Sequence, residues 1–197
     1  GEYYQFVRGE INMEDLYEKY PKQAEVAKHE AWKISLGDSK DHHEIDRRIS
    51  EALNGEKNFV LIGGPPCQAY SLVGRARRQE GKGLNKEDER VYLYREYYRI
   101  IAVHQPPVFI MENVKGLLSS KVEKQSVFKQ LIEDLKNPVE SYKKLQGTEI
   151  VKSKIRYKIF SLVKKPIGYE LLDGSPIYEP KDFTIQAEKY GIPQTRH

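Results

Sequence analysis

FVLIGGPPCQAYS, Phe59 to Ser71, holds the only cysteine of the chain, and VFIMENV, Val108 to Val114, is its counterpart further along. Each is a short apolar run closed by turn-forming and polar residues, the pattern of a buried strand. Between them RVYLYREYYRIIAVHQ, Arg90 to Gln105, has helical spacing and stops at Pro106-Pro107. A strand, a helix and a strand imply a parallel pair, and a right-handed crossover puts both carboxyl ends on one edge of the sheet. Ligands of open parallel sheets bind beyond that edge, so Cys67 and Glu112 are candidates for one shared site. Gly63 and Gly64 let the backbone pack closely or adopt positive φ, and the prolines stiffen the turn, so the thiol is expected to be held.

Outward from this unit, residues 1–36 carry charges between apolar residues at helical spacing, notably Leu16, Tyr20, Ala24, Ala27 and Ala31, and read as a helical lead-in. Asp46 to Leu53 reads as an amphipathic helix closed by Asn54-Gly55, and Ser126 to Lys136 as a further helix. From Asn137 the pattern becomes strand-like and turn-rich, with YKIFSLV, an Asp173-Gly174 turn and FTIQAEKYGIPQ. Arg75 to Arg90 reads as a long loop.

With 197 residues, 39% of them hydrophobic, the chain can build one sizeable core. One cysteine forms no internal disulfide, and no CxxC or Cys/His spacing suggests zinc, which points to the cell interior and to no metal. No apolar stretch is long enough to span a bilayer, so the chain reads as soluble, without a membrane partner. The net charge of +4 permits an anionic partner, although a solvated charged surface accounts for it equally well. The opening Gly1 and the stop after YGIPQTRH read as the ends of an excised segment.

Taken singly, a lone cysteine is more often a small buried hydrophobe than a catalyst, and a Glu-Asn pair at a strand end is more often a turn or cap. In combination, GGPPCQAYS, then MENV, then YGIPQTR resembles the DNA (cytosine-5) methyltransferase family. The resemblance extends to Ser71, Gly74, Asp88, Arg90 and Leu93, with a shorter match at Gly37-Asp38. It implies an α/β, Rossmann-like fold dependent on S-adenosylmethionine, with a partly parallel sheet and flanking helices, incomplete at both ends. The chain would be part of one catalytic domain: lead-in 1–36, catalytic core 37–136, and a strand-rich segment 137–197 leading to a truncated Gln-x-Arg-x-Arg motif.

The resemblance assigns Cys67 as nucleophile, Glu112 as the group on the cytosine edge and Arg196 as a cationic donor. It places S-adenosyl-L-methionine against Asp38, Pro65, Pro66 and Leu93, and DNA against Gln68, Ser71, Asn113 and Gln194. The loop arginines Arg75, Arg77 and Arg78 are read as phosphate contacts on their position beside Cys67, against the plainer reading of a solvated loop. A thiolate adding at carbon 6 would make carbon 5 of cytosine nucleophilic, and an acid at N3 would stabilise the charge that develops. An apolar strand end such as VFIMENV could raise the Glu112 pKa enough for it to act as that acid. Double-stranded DNA is the implied partner, a cognate restriction endonuclease system a further candidate, and the cytoplasm, or a eukaryotic nucleus, the implied location.

Four family features are missing from the chain: the acidic-aromatic-glycine cofactor loop of the D-x-F-x-G-x-G kind, the second arginine of Gln-x-Arg-x-Arg, the target-recognition region and the final family motif. The segment alone is therefore expected to be inactive. An RNA cytosine-5 methyltransferase, a non-catalytic nucleic-acid-binding scaffold of the same fold, and an unrelated thiol enzyme are the alternative readings.

Overall fold

The computed structural model describes residues 1–65, 94–122, 124–147 and 152–193. They fall into two compact units, Gly1–Asp38 and Ser39–His197. No helix among the described residues is long and apolar enough to cross a membrane.

The first unit is helical, as its spacing predicts, but in three pieces: α1 (Glu2–Val7), α2 (Met13–Lys19) and α3 (Pro21–Glu30). Asn12 starts α2 with a reciprocal cap, its side chain accepting from Asp15 N at 2.8 Å while Asp15 accepts from Asn12 N at 3.0 Å. Pro21 ends any continuation and opens α3 at the first position, where its missing N–H costs nothing. Of the apolar residues on this stretch only Ala24 is buried. Lys19 pairs with Glu2, and Lys28 sits 4.8 Å from the Tyr17 ring centroid.

The second unit begins with α4 (His42–Leu53), one turn longer than the sequence reading because Ile45, near its start, is buried. Asn54 (φ 45°) and Gly55 (φ 81°) close it in the left-handed region, as their identities predict. Next come β1 (Val60–Gly63), α5 (Tyr94–His104) and β2 (Val108–Met111). The two strands pair in parallel, Val60 with Val108 through Gly63 with Met111, as expected. They are not buried on both faces. Leu61, Phe109 and Met111 pack against the core, whereas Val60, Ile62 and Val108 are 54%, 70% and 52% exposed. The strand run is uniformly apolar, but the core lies on one side of it.

After β2 stand α6 (Gly116–Ser119), the short antiparallel pair β3 (Lys121–Val122) and β4 (Gln125–Ser126), and α7 (Val127–Lys136), capped by the Ser126 side chain. Beyond Asn137 the strand-like expectation gives way to a helix, α8 (Pro138–Gln146), which Gly147 ends at φ 69°. Val139 and Tyr142 are its buried face, and Pro138 again occupies a first-turn position. YKIFSLV is not a strand. Residues 152–160 do alternate between exposed and half-buried, yet Tyr157 N–H donates to the Lys136 carbonyl at 2.9 Å, at the end of α7, and no ladder forms. The Asp173-Gly174 turn closes a hairpin of β5 (Gly168–Tyr169) and β6 (Pro176–Ile177), with Asp173 accepting from Ser175 N at 2.8 Å. FTIQAEKYGIPQ forms no strand in its described part, which holds the end of a 3-10 turn at Pro180–Phe183 and a second at Ala187–Tyr190.

The core is aromatic: Tyr94, Tyr97, Tyr98 and Ile101 of α5 meet Leu117, Val127, Phe128, Leu131, Leu135 and Tyr142. Two contacts seat α5. On one side Arg99, 2% exposed, grips Asp46 of α4 through both terminal nitrogens at 3.0 and 3.2 Å, and His104 meets the same carboxylate at 3.0 Å. Burial pushes the Asp46 carboxyl up, but Arg99 and His104 outweigh it and hold the carboxyl below its ordinary range. On the other side the Tyr97 ring lies on Gly63, and a Cβ there would stand 2.4 Å from ring atom Cε2.

Two outcomes follow from these contacts. Gly63→Ala forces the Tyr97 ring to shift and lowers unfolding stability by about 1–3 kcal/mol in a urea titration. Because the Asp46 pKa is depressed on folding, its contribution is complete above about pH 4 and is lost as the pH falls below that. Asp46→Asn therefore lowers the melting temperature at pH 7, and its difference from the wild type shrinks at acid pH.

Candidate active site

The parallel pairing brings the ends of β1 and β2 together. The ladder runs on past the last strand pair, Glu112 N donating to Gly63 O at 3.0 Å. One residue further, Asn113 Nδ2 donates to the Pro65 carbonyl at 3.4 Å, while its Oδ1 accepts from Val114 N at 2.8 Å. Both polar ends of Asn113 are thus engaged by backbone, and they tie the GGPP turn to the ENV turn.

Glu112 differs from its neighbour. Its side chain is exposed, and among the described residues nothing hydrogen-bonds its carboxylate. It leans across Gly64, where a Cβ would lie 1.8 Å from Oε1. Neither Gly63 nor Gly64 has positive φ, so of the two uses expected for this doublet, close packing is the one observed.

Of the other expected site residues, Pro65 is buried at the end of β1, and Asp38 lies in the first unit, exposed, behind Gly37 at φ 113°. Pro66, Cys67, Gln68, Ser71, Arg75, Arg77, Arg78, Leu93, Gln194 and Arg196 lie outside the described residues. Glu112, Asn113 and Pro65 are therefore brought together as the topology predicts. Sequence reasoning missed the separate uses of Gly63 and Gly64, for which the doublet at a strand end was the available signal. No group of His, Cys, Asp and Glu able to hold a metal occurs among the described residues.

The family model described as C-5 cytosine-specific DNA methylase matches residues 22–143, from α3 through most of α8. The chain belongs to this family. Type II methyltransferase M.Bpa9945I of Bacillus paralicheniformis is 33% identical over 140 residues, 70% of this chain and 23% of the relative. Type II methyltransferase M.FnuDI of Fusobacterium nucleatum is 44% identical over 79 residues, 39% of this chain and 21% of its own length. DNA (cytosine-5-)-methyltransferase M.ApeKI of Aeropyrum pernix is 39% identical over 82 residues, 42% of this chain and 16% of its own. The chain thus spans less than a quarter of each of these three relatives. No solved structure matches the chain at a significant level.

Membership of the C-5 cytosine methylase family implies S-adenosylmethionine, and of the residues expected to hold it the second unit describes Pro65. Pro65 offers an apolar ring at the carboxyl end of a parallel strand.

If Asn113 ties the two turns together, its donor is what matters. Asn113→Asp keeps the acceptor for Val114 N but sets a second acceptor against the Pro65 carbonyl. It should cost about 1–3 kcal/mol in denaturant unfolding, more than Asn113→Ala.

Proposed function

We propose that the protein transfers a methyl group from S-adenosyl-L-methionine to carbon 5 of cytosine in double-stranded DNA, through a covalent adduct of Cys67 with carbon 6. The reading rests above all on one observation: the parallel β1–β2 pair carries the backbone leading to Cys67 and the open carboxylate of Glu112 to one sheet edge. Family membership supports the same chemistry. A parallel pair with a core helix between its strands is a unit of a Rossmann-like doubly wound sheet, and we read the chain as part of one such catalytic domain. Residues 1–36 lead in, 37–136 form the core, and 137–197 lead to Gln194 and Arg196.

The target base is stacked inside a duplex and is flipped out to reach the thiol. The Cys67 thiolate adds to carbon 6, a carbon–sulfur bond forms, and the electron pair of the 5,6 double bond moves toward carbon 5 and the ring. Glu112 delivers a proton to N3 and Arg196 donates to O2, both where negative charge builds. Asp38, Pro65, Pro66 and Leu93 would hold S-adenosylmethionine, which would supply the methyl group to carbon 5 and leave as S-adenosylhomocysteine. A base then removes the carbon 5 proton, the double bond re-forms, the thiolate leaves, and N3 returns its proton to Glu112. Gln68, Ser71, Asn113 and Gln194 contact the DNA around the base, and Arg75, Arg77 and Arg78 contact phosphates. The protein's setting is the cytoplasm, beside a cognate restriction endonuclease.

The test is trapping. With S-adenosylmethionine and duplex DNA carrying 5-fluorocytosine, the full-length protein should form an adduct stable to denaturation, because fluorine cannot leave as a proton does. Cys67→Ala should abolish both adduct and methylation. An adduct that survives the substitution overturns the nucleophile, and methyl transfer to transfer RNA but not to duplex DNA overturns the substrate.

A further inference from the structure

We propose that Gly64 is a positioning residue for Glu112: its bare Cα provides the surface over which the carboxylate lies, and this packing sets the carboxylate's direction. The inference rests on the catalytic reading of Glu112 given above. Three observations carry it. The three atoms nearest a Cβ built at Gly64 all belong to Glu112: Oε1 at 1.8 Å, Cδ at 2.7 Å and Cγ at 3.1 Å. The Glu112 backbone is fixed on both sides, by its own N–H on Gly63 O at 3.0 Å and by the Asn113 side chain on Pro65 O at 3.4 Å, so an added methyl is accommodated by moving the side chain. Finally, the Glu112 carboxylate itself is the group that a methyl at residue 64 would displace, its Oε1 standing nearest the added carbon.

The neighbouring glycine shows that the two positions act separately. Successive residues of a strand face opposite ways. A Cβ at Gly63 would strike the Tyr97 ring on the core side, and a Cβ at Gly64 would strike Glu112. Gly63 therefore seats the helix, and Gly64 admits the acid. Since Gly64 is not at positive φ, alanine fits its backbone, and the substitution reports on the space above it.

The experiment is a double-mutant cycle in the full-length protein, with single-turnover methyl transfer, DNA affinity and melting temperature as readouts. Gly64→Ala should slow methyl transfer by about tenfold or more while DNA affinity stays within about twofold, since a displaced acid costs rate and not docking. In a Glu112→Ala background the same change should cost nothing further, because the group it displaces is gone. A full rate in Gly64→Ala, or equal losses in both backgrounds, overturns the positioning role. If Glu112→Ala alone leaves the rate intact, the catalytic reading of Glu112 fails, and the inference with it. Should Gly64→Ala prove unstable, Glu112→Ala must restore its melting temperature; a double variant as unstable as the single overturns the inference.

Discussion

Tyr97 is the contact on which the second unit depends. Its ring lies flat against Gly63, edge-on to Phe109 at 6.3 Å, and its hydroxyl donates to the Ile110 carbonyl at 2.8 Å, with the Leu61 carbonyl at 3.4 Å. One side chain thus touches both strands of the parallel pair. Burial pushes the hydroxyl pKa up to about 12, so it remains a donor throughout the physiological range. A two-stranded sheet has little stability of its own, and α5 gains its seat only because one strand position has no side chain. With α5 held there, Tyr94, Tyr98 and Ile101 enter the core formed with α7 and α8. The edge that carries Glu112 follows from the same seat, since the ladder continues directly from Gly63.

How much of this was legible follows from which signals are local. The strands and α5 were readable because apolar runs end at Gly-Gly, Pro-Pro and Glu-Asn, and α4 because Asn54-Gly55 is a C-cap pair. The helix α8 was not: it opens with Pro138, has only Val139 and Tyr142 on its buried face, and leaves Leu145 40% exposed, too weak a period to stand out from a turn-rich segment. In YKIFSLV the alternation was real and the strand was not, because a ladder needs a partner, and the Tyr157 N–H finds its acceptor on α7. The shared edge of Pro65 and Glu112 was readable from topology. The role of Gly64 was not, because it depends on how closely the Glu112 side chain approaches it just past the strand ends.

The apolar pattern of β1 and β2 carries more than the described residues use. Val60, Ile62 and Val108 are as hydrophobic as Leu61 and Phe109, yet they face away from the core, as do Phe160 and Leu162, at 54% and 71% exposed. Strands with exposed positions as apolar as their packed ones have the composition of a parallel sheet covered on both faces. That composition is consistent with the mixed helix and strand fold of the C-5 cytosine methylase family. It also explains why the sequence predicted full burial: periodicity reports what a strand can bury, not how many layers are described around it.

The Glu-Asn dipeptide shows how a structural and a chemical reading can both hold, one residue apart. A Glu-Asn pair at a strand end is by default a turn device, and Asn113 is one: its amide donates to Pro65 O and its oxygen accepts from Val114 N. Glu112, with an exposed carboxylate over a bare glycine and no hydrogen bond from a described residue, has its valence open. A carboxylate required only for stability would be expected to engage a partner within the fold, as Asp46 does with Arg99 and His104. The contrast is one of surroundings: Asp46 is engaged by Arg99 and His104, and Glu112 has no hydrogen-bond partner among the described residues.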